Sequence, residues 1–297
     1  MAGMTTGDGD SGGRLFPEDL DGVDPVAAVL RADARRAMTA YPEPVVVGPL
    51  FAAAERVAGG WRLVCPCDPL PQGARELLAV HLEDRAAETG GAAGRELRTA
   101  ARRLQADPSD EVRAAGLRFR IVRIEQLVRT GPDGPEPPRP TDLDPSGRAP
   151  RGEPDLLPED ETGSDLTSAE LLCQVLDAAA AAGNEPDGTF LTPVPLAPVF
   201  TVAERGGGRW RPVGRLHDGP QQARDSLVTY FRHVVPVIER PEEPAAAEFA
   251  AAAELMEDGT GRNGITVAGR RFRVVRIERI TLLGPDGPEP PRPGDPR

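Results

Sequence analysis

The feature that most constrains this chain is that it repeats itself. Residues 49–82 align without gaps on residues 198–231, an offset of 149. The identities include Phe51/Phe200, Glu55-Arg56/Glu204-Arg205, Trp61-Arg62/Trp210-Arg211, Pro71-Gln72/Pro220-Gln221 and Ala74-Arg75/Ala223-Arg224. At an offset of 153, residues 119–140 match residues 272–293, including the whole decapeptide Gly131-Pro-Asp-Gly-Pro-Glu-Pro-Pro-Arg-Pro140, which recurs from Gly284 to Pro293. Collinear blocks that contain the only two tryptophans of 297 residues point to a tandem duplication of a small domain. The expected organisation is an acidic tail without fixed structure over 1–23, a first copy over 24–141, an acidic Pro/Gly-rich linker over 142–165, and a second copy over 166–297.

Within each copy the hydrophobic spacing changes period. Asp24-Pro25 reads as an N-cap and first-turn pair before Val26, Val29, Leu30, Ala34 and Ala37 at helical spacing. Thr167 and Glu170 form a capping-box pattern before Leu171, Leu172, Val175 and Leu176. Two strands are expected near Val45–Arg56 and Trp61–Val64, with Gly-rich turns at Gly59-Gly60 and Gly206-Gly207-Gly208. Pro71 and Pro220 open a second helix. A third is expected at Gly94–Ala106 and Ala245–Glu257, and a last strand at Leu117–Val128 and Arg270–Leu282. In that strand the apolar parity shifts between Phe119/Ile121 and Val122/Ile124, as a bulge or a terminal helical turn would produce. Ile265-Thr-Val267 before Ala268-Gly269 suggests a hairpin. Each copy therefore reads α–β–β–α–α–β(β), and the whole as an α+β fold with a mostly antiparallel sheet, its copies packed as a pseudo-dimer on equivalent faces.

Charge narrows the function classes. The net charge is −12, and all 35 basic residues are arginine. Residues 1–24 carry six acids against Arg14, and residues 142–165 carry eight against Arg148 and Arg151. The two segments contribute −5 and −6, so the copies themselves are close to neutral. This disfavours nucleic acid as a partner. No apolar run is long enough to span a bilayer, so no membrane is expected. The first residues lack the basic start and apolar stretch of a secretory signal, and the three cysteines show no disulfide framework, which suits a cytoplasmic protein.

Several of these landmarks resemble an uncharacterised group of actinobacterial proteins, domain-of-unknown-function family 5954. They are Asp24-Pro-Val-Ala-Ala28, Gly48-Pro-Leu-Phe51, Trp61-Arg62, Pro71-Gln72 with Ala74-Arg75, Phe119-Arg-Ile-Val-Arg123 and the decapeptide. The resemblance covers most of the first copy and, through the repeat, much of the second. It implies an origin in a high-GC bacterium, and no activity, substrate or catalytic residue.

The repeat also sorts candidate chemistry, since a site common to both copies must appear twice. No histidine does: His81 faces Tyr230, His217 faces Asp68, and His233 faces Asp84 in the alignment. No cysteine does either. Cys65-Pro-Cys67 lacks the further ligands that zinc requires, so it reads as two small residues ending a strand. No catalytic, cofactor or metal residue is assigned, and no cofactor is expected. The strings GxGxxG (Gly7, Gly9, Gly12) and GxSxG (Gly9, Ser11, Gly13) lie in the acidic tail, away from any strand-to-helix turn.

What recurs is arginine. Arg120 and Arg123, matched by Arg273 and Arg276, sit on the last strand, where guanidinium forks suit phosphate or carboxylate recognition. The bland alternative pairs them with Glu125, Glu278 or acids on neighbouring strands. Trp61 and Trp210 read as core residues, with a peptide groove as the alternative. Arg139 and Arg292 lie in the decapeptide, whose Gly-Pro-Asp-Gly forms a turn and whose prolines impose an extended path. Because both decapeptides are identical, they are expected to act as straps over their own domains rather than as ligands for proline-recognising partners. These eight residues form the candidate ligand or partner surface. The leading function is a non-catalytic binding or interaction protein for an unknown protein or a small anionic ligand. The alternatives are a hydrolase or transferase with one degenerate copy, and a nucleic-acid or anion binder through the arginine strands.

Overall fold

The computed structural model describes residues 25–144, Leu156 and residues 166–296. The acidic tail, Asp24, the side chain of Thr167 and most of the proposed linker lie outside the described residues. Helix α1 (Pro25–Ala40) leads into a hairpin of β1 (Glu43–Val57) and β2 (Gly60–Leu63). A helical hairpin follows, α2 (Pro71–Thr89) and α3 (Gly91–Ala106), and then β3 (Glu111–Ala114), β4 (Leu117–Gly131) and the two-residue β5 (Gly134–Pro135). The second half repeats this order: α4 (Leu166–Ala182), β6 (Thr192–Gly206), β7 (Arg209–Pro212), α5 (Pro220–Thr229), α6 (Glu243–Glu257), β8 (Gly264–Val267), β9 (Arg270–Gly284) and β10 (Gly287–Pro288). The halves differ where α5 continues as a π-helical segment, Tyr230–Glu239, that contains Pro236. Proline has no N–H to donate within a helix, so a wider turn there is physically reasonable.

All described strands join one ten-stranded sheet, with β2-β1-β4-β9-β6-β7 as its main path and antiparallel pairing throughout. This is a mixed helix and antiparallel-sheet fold. Its two halves meet strand to strand, with Glu125↔Ile280, Gln126↔Arg279 and Leu127↔Glu278 in register. A shift of 153 maps this register onto itself, which places a local two-fold axis at Gln126 and Arg279.

The parity shift in the last strand has a different origin from the bulge expected there. β4 pairs continuously with β1, and the irregularity lies in the partner strands, between Val46 and Gly48 in β1 and between Leu196 and Val199 in β6. β4 is apolar at both parities because both of its faces are covered. Phe119 and Ile121 pack beneath α2 and α3 with Leu78, Leu82, Leu97 and Leu104. Val122 and Ile124 face the other way, against Trp61, Leu50 and Leu156. Over the centre, Leu171 and Val175 of α4 cover Leu127 and Ile280. Helix α1 buries Ala34 and Ala37 but leaves Val26, Val29 and Leu30 exposed, so only its second half is held in the core.

Candidate functional site

The eight residues singled out by the repeat fall into four groups, two on each face of the sheet, each formed where a decapeptide meets the other half. β4 and β9 pair over only three residue pairs before their ends diverge, and each decapeptide enters the wedge this leaves. After β10, the Glu289 N–H donates to the Leu282 carbonyl of its own half, and the Glu289 carbonyl accepts from the Arg123 N–H of the other. The first decapeptide makes the matching bonds, from the Glu136 N–H to the Arg129 carbonyl and from the Arg276 N–H to the Glu136 carbonyl. The straps thus start as turns on their own strands, but they pack across the opposite half. The expectation of a strap confined to its own domain is corrected in this respect.

Side chains follow the same exchange. On the helix-bearing face, Arg123 pairs with Asp295 at 3.0 Å and with Glu125, while Arg292 pairs with Glu289 at 2.7 Å and Glu125 at 3.2 Å. The matching cluster joins Arg276 to Asp142 at 3.1 Å and to Glu278 at 2.8 Å, with Arg139 bound to Glu136 and Glu278. Arg129, fully buried, adds a bond to Glu170 at 2.6 Å. Burial disfavours the charge on Arg123, and nearby Arg292 acts in the same direction, so its pKa is lowered. Burial also works against Arg139, but Glu136 and Glu278 outweigh it and raise its pKa. Such ion pairs gain little net stability over apolar packing, yet removing one partner strands a buried charge at a cost of about 3–5 kcal/mol.

On the opposite face, Arg120 donates to the Pro288 carbonyl at 3.2 Å and Arg273 to the Pro135 carbonyl at 2.8 Å. Both guanidiniums also lie over tryptophan rings, Arg120 over Trp61 and Arg273 over Trp210. The strap glycines pack on the same indoles. A Cβ added to Gly287 (φ 121°) would lie 2.5 Å from Trp61 Nε1, and one on Gly134 (φ 109°) 2.2 Å from Trp210 Nε1. Trp61 is buried and Trp210 half-buried. The arginines and tryptophans therefore bind the chain's own straps, although Arg139 and Arg276 border one surface cavity and Arg120 another.

Other matched residues also make internal contacts. Glu55 holds Arg62 and Arg85, Glu204 holds Arg270, Arg75 holds Asp110, and Arg224 bonds Asn263. Cys65 accepts a bond from the Ala53 N–H, and burial pushes its thiol up to about 11. Burial depresses the pKa of His81, which contacts Phe119 edge-on. Among the described residues, no three His, Cys, Asp or Glu side chains gather as a metal site.

Sequence reasoning missed an open groove of about 850 Å³ between α3 and β3, in the first half. Arg95, Thr99, Arg103, Ser109 and Arg113 line it, with Glu96 and Glu111. Glu111 is tied to Arg118, Arg120 and Arg113, which hold its carboxyl down at about 2 despite the opposing effect of desolvation. Glu96 accepts the Ala115 N–H at 2.9 Å. The guanidiniums of Arg95 and Arg103 make no ion pair among the described residues. The signal for this groove was the arginine run Arg95, Arg98, Arg102, Arg103, which has no equivalent on α6, where Glu243, Glu248, Glu254 and Glu257 stand instead.

Fold and groove together define an α+β protein with a mostly antiparallel sheet and an arginine-lined surface cleft. The chain belongs to the family of unknown function DUF5954, which matches residues 24–297. None of the curated proteins and none of the solved structures compared with the chain matches it. Among the described residues, no helix is long and apolar enough to cross a membrane.

Proposed function

We propose that this chain is a tandem duplication working as an intramolecular pseudo-dimer, and that it is a non-catalytic cytoplasmic binding protein for a small anionic ligand. The repeated element order, the self-matching register and the exchanged straps support the duplication. The observation that carries the binding reading is the α3–β3 groove, where Arg95 and Arg103 make no ion pair among the described residues. Its volume suits a small ligand, and guanidinium forks suit phosphate or carboxylate oxygens. The arginine strands, first in line for this role from the repeat, are already engaged by carboxylates and strap carbonyls. An arginine-lined groove whose arginine run is not matched on α6 also fits the reading of an enzyme with one degenerate copy. Against it, Glu96 and Glu111 are committed to the Ala115 amide and to three arginines, and Asp107 is the remaining carboxylate on the groove wall for such a role.

Calorimetric titration with inorganic pyrophosphate tests the proposal. Saturable binding that weakens with salt and falls at least about tenfold in Arg95→Ala and in Arg103→Ala is expected, because each removes one ionic contact. Binding unchanged in both variants, or absent at low salt, counts against the groove.

A further inference from the structure

We infer that the outer edge of β7, at Trp210, is a docking strand for this chain's own segment Leu15-Phe-Pro-Glu-Asp19, which adds to it as Leu156 adds to β2. The inference rests on the pseudo-dimer reading above and concerns a different surface from the α3–β3 groove.

The other half shows what such an edge accepts. The outer edge of β2 pairs with Leu156: the Leu156 N–H donates to the Trp61 carbonyl at 2.9 Å, and the Trp61 N–H donates to the Leu156 carbonyl at 3.4 Å. Leu156 is fully buried, packed with Trp61, Ala54, Val122 and Ile124. It stands ten residues ahead of Leu166, the first residue of α4, so the stretch before the second half reaches across to the first. Leu15 stands ten residues ahead of Pro25, the first residue of α1. At this one offset of 141, Leu15, Pro17, Glu18, Asp19, Gly22 and Asp24 match Leu156, Pro158, Glu159, Asp160, Gly163 and Asp165. The match runs on into the helices, where Ala28, Leu30 and Ala37 correspond to Ala169, Leu171 and Ala178. The two-fold relation that exchanges the halves exchanges α4 with α1 and β2 with β7. Helix α1 already borders the second half, since Leu30, Arg31 and Ala34 share a cavity with Ala197, Pro198, Phe200 and Asp218. The segment ahead of α1 is therefore the symmetry counterpart of the one that covers Trp61.

The edge itself fits that occupant. The register inside the two hairpins is the same, Arg56↔Trp61 and Arg205↔Trp210. Alternation along an antiparallel pair turns the Trp210 amide and carbonyl outward, as it does at Trp61. Gly60 and Trp61 are buried at the first edge, whereas Arg209, Arg211 and Pro212 are exposed and Trp210 half-buried at the second. Ala54, Val122 and Ile124 beneath Leu156 are fully buried, while their counterparts Ala203, Val275 and Ile277 keep 3–5% exposure. Charge separates the edges too. In the first half Glu55 neutralises Arg62 at 2.6 Å. Its counterpart Glu204 is instead bound by Arg270 at 2.7 Å, and Arg211 makes no ion pair among the described residues. Arg209 and Arg205 add positive charge beside it. Strand addition would supply main-chain hydrogen bonds, Leu15 would cover the Trp210 indole, and Glu18 and Asp19 would meet the arginines. A segment this acidic and this poor in large apolar side chains gains order only from such a surface.

The test uses the full-length protein and follows the two indole N–H resonances by NMR. Leu15→Asp should shift the Trp210 resonance and leave that of Trp61 in place, and the unmoved Trp61 signal shows that the fold is kept. A synthetic peptide of residues 11–22, Ser-Gly-Gly-Arg-Leu-Phe-Pro-Glu-Asp-Leu-Asp-Gly, added to this variant should return Trp210 saturably to its original position. A peptide carrying the same Leu15→Asp change should not. Adding Arg211→Glu to the variant should weaken the peptide by about tenfold or more, by reversing one rim charge. A Trp210 resonance unmoved by Leu15→Asp overturns the inference and leaves the edge to a partner of another kind. So does a peptide that moves Trp61 alone, since the segment then only competes with Leu156. If the Trp210 position of the unaltered chain depends on protein concentration, the segment comes from a second copy, and docking within one chain is overturned. Removal of residues 284–297 tests the pseudo-dimer, and pyrophosphate binding tests the groove, so failure at the β7 edge is read apart from both.

Discussion

Asp142 and Asp144 are neighbours in the acidic stretch that the sequence reads as a linker, yet they sit in different environments. Asp142 is buried against Arg276, while Asp144 is exposed and accepts the Gln221 N–H at the start of α5 at 2.8 Å. Asp142→Asn should therefore cost about 3 kcal/mol, since it leaves Arg276 with one buried partner fewer. Asp144→Ala should cost about 1 kcal/mol, as loss of a helix cap. Urea midpoints at neutral pH separate the two. Gly287 offers a second test at this scale. Its φ of 121° disfavours any side chain, and its missing Cβ is where the Trp61 indole lies. Gly287→Ala should lower stability by about 2–4 kcal/mol, because strain and overpacking act together; an unchanged thermal midpoint would show that the strap does not bear on Trp61.

At the scale of elements, the strap exchange changes which half depends on which segment. Removing residues 284–297 takes away Gly287 from Trp61 and Arg292 and Asp295 from the Glu125–Arg123 cluster. The first half should then be loosened, though the deleted residues belong to the second. In a Trp210→Phe background, the emission of Trp61 should move to longer wavelength and its quenching by acrylamide should increase. A truncated chain with Trp61 still shielded would contradict the exchanged packing. The elements themselves were largely legible in the sequence. Period and turn residues placed β1, β2, α3 and β4 within a few residues, because local hydrophobic spacing and Gly/Pro punctuation act over short distances. The bulges were not legible at their true sites. They arise in β1 and β6 to fit a strand buried on both faces, and that double burial depends on Trp61, Leu156 and α4 arriving from elsewhere.

Across the whole molecule, titration should weaken the fold in acid. The pKa of His81 is depressed, first by burial and then by Arg85, and that of His217 by burial and Arg215. The unfolded chain therefore takes up protons first as pH falls through the ordinary histidine range near 6.5, and stability declines there. Glu111, held at about 2 by Arg118, Arg120 and Arg113, contributes stability that is full above its unfolded value near 4.5 and lost as pH falls towards 2. Both effects have the same sign. Urea titrations from pH 7.5 to 3 should show a two-stage decline, and His81→Phe should flatten the stage above pH 5. A curve rising towards acid would contradict this assignment.

The sequence by itself determined the repeat, the α+β character, the antiparallel hairpins and which arginines and tryptophans recur, because each is written in local spacing or in identity between segments. It left open what those residues touch. Arg123 and Arg276 look the same whether they face a ligand, a neighbouring strand or a strap from the other half. Only the tertiary structure decided among these, since the choice rests on the divergence of β4 and β9 after three residue pairs. That divergence opens a wedge whose buried backbone groups need partners, and the two decapeptides, 153 residues apart, supply them.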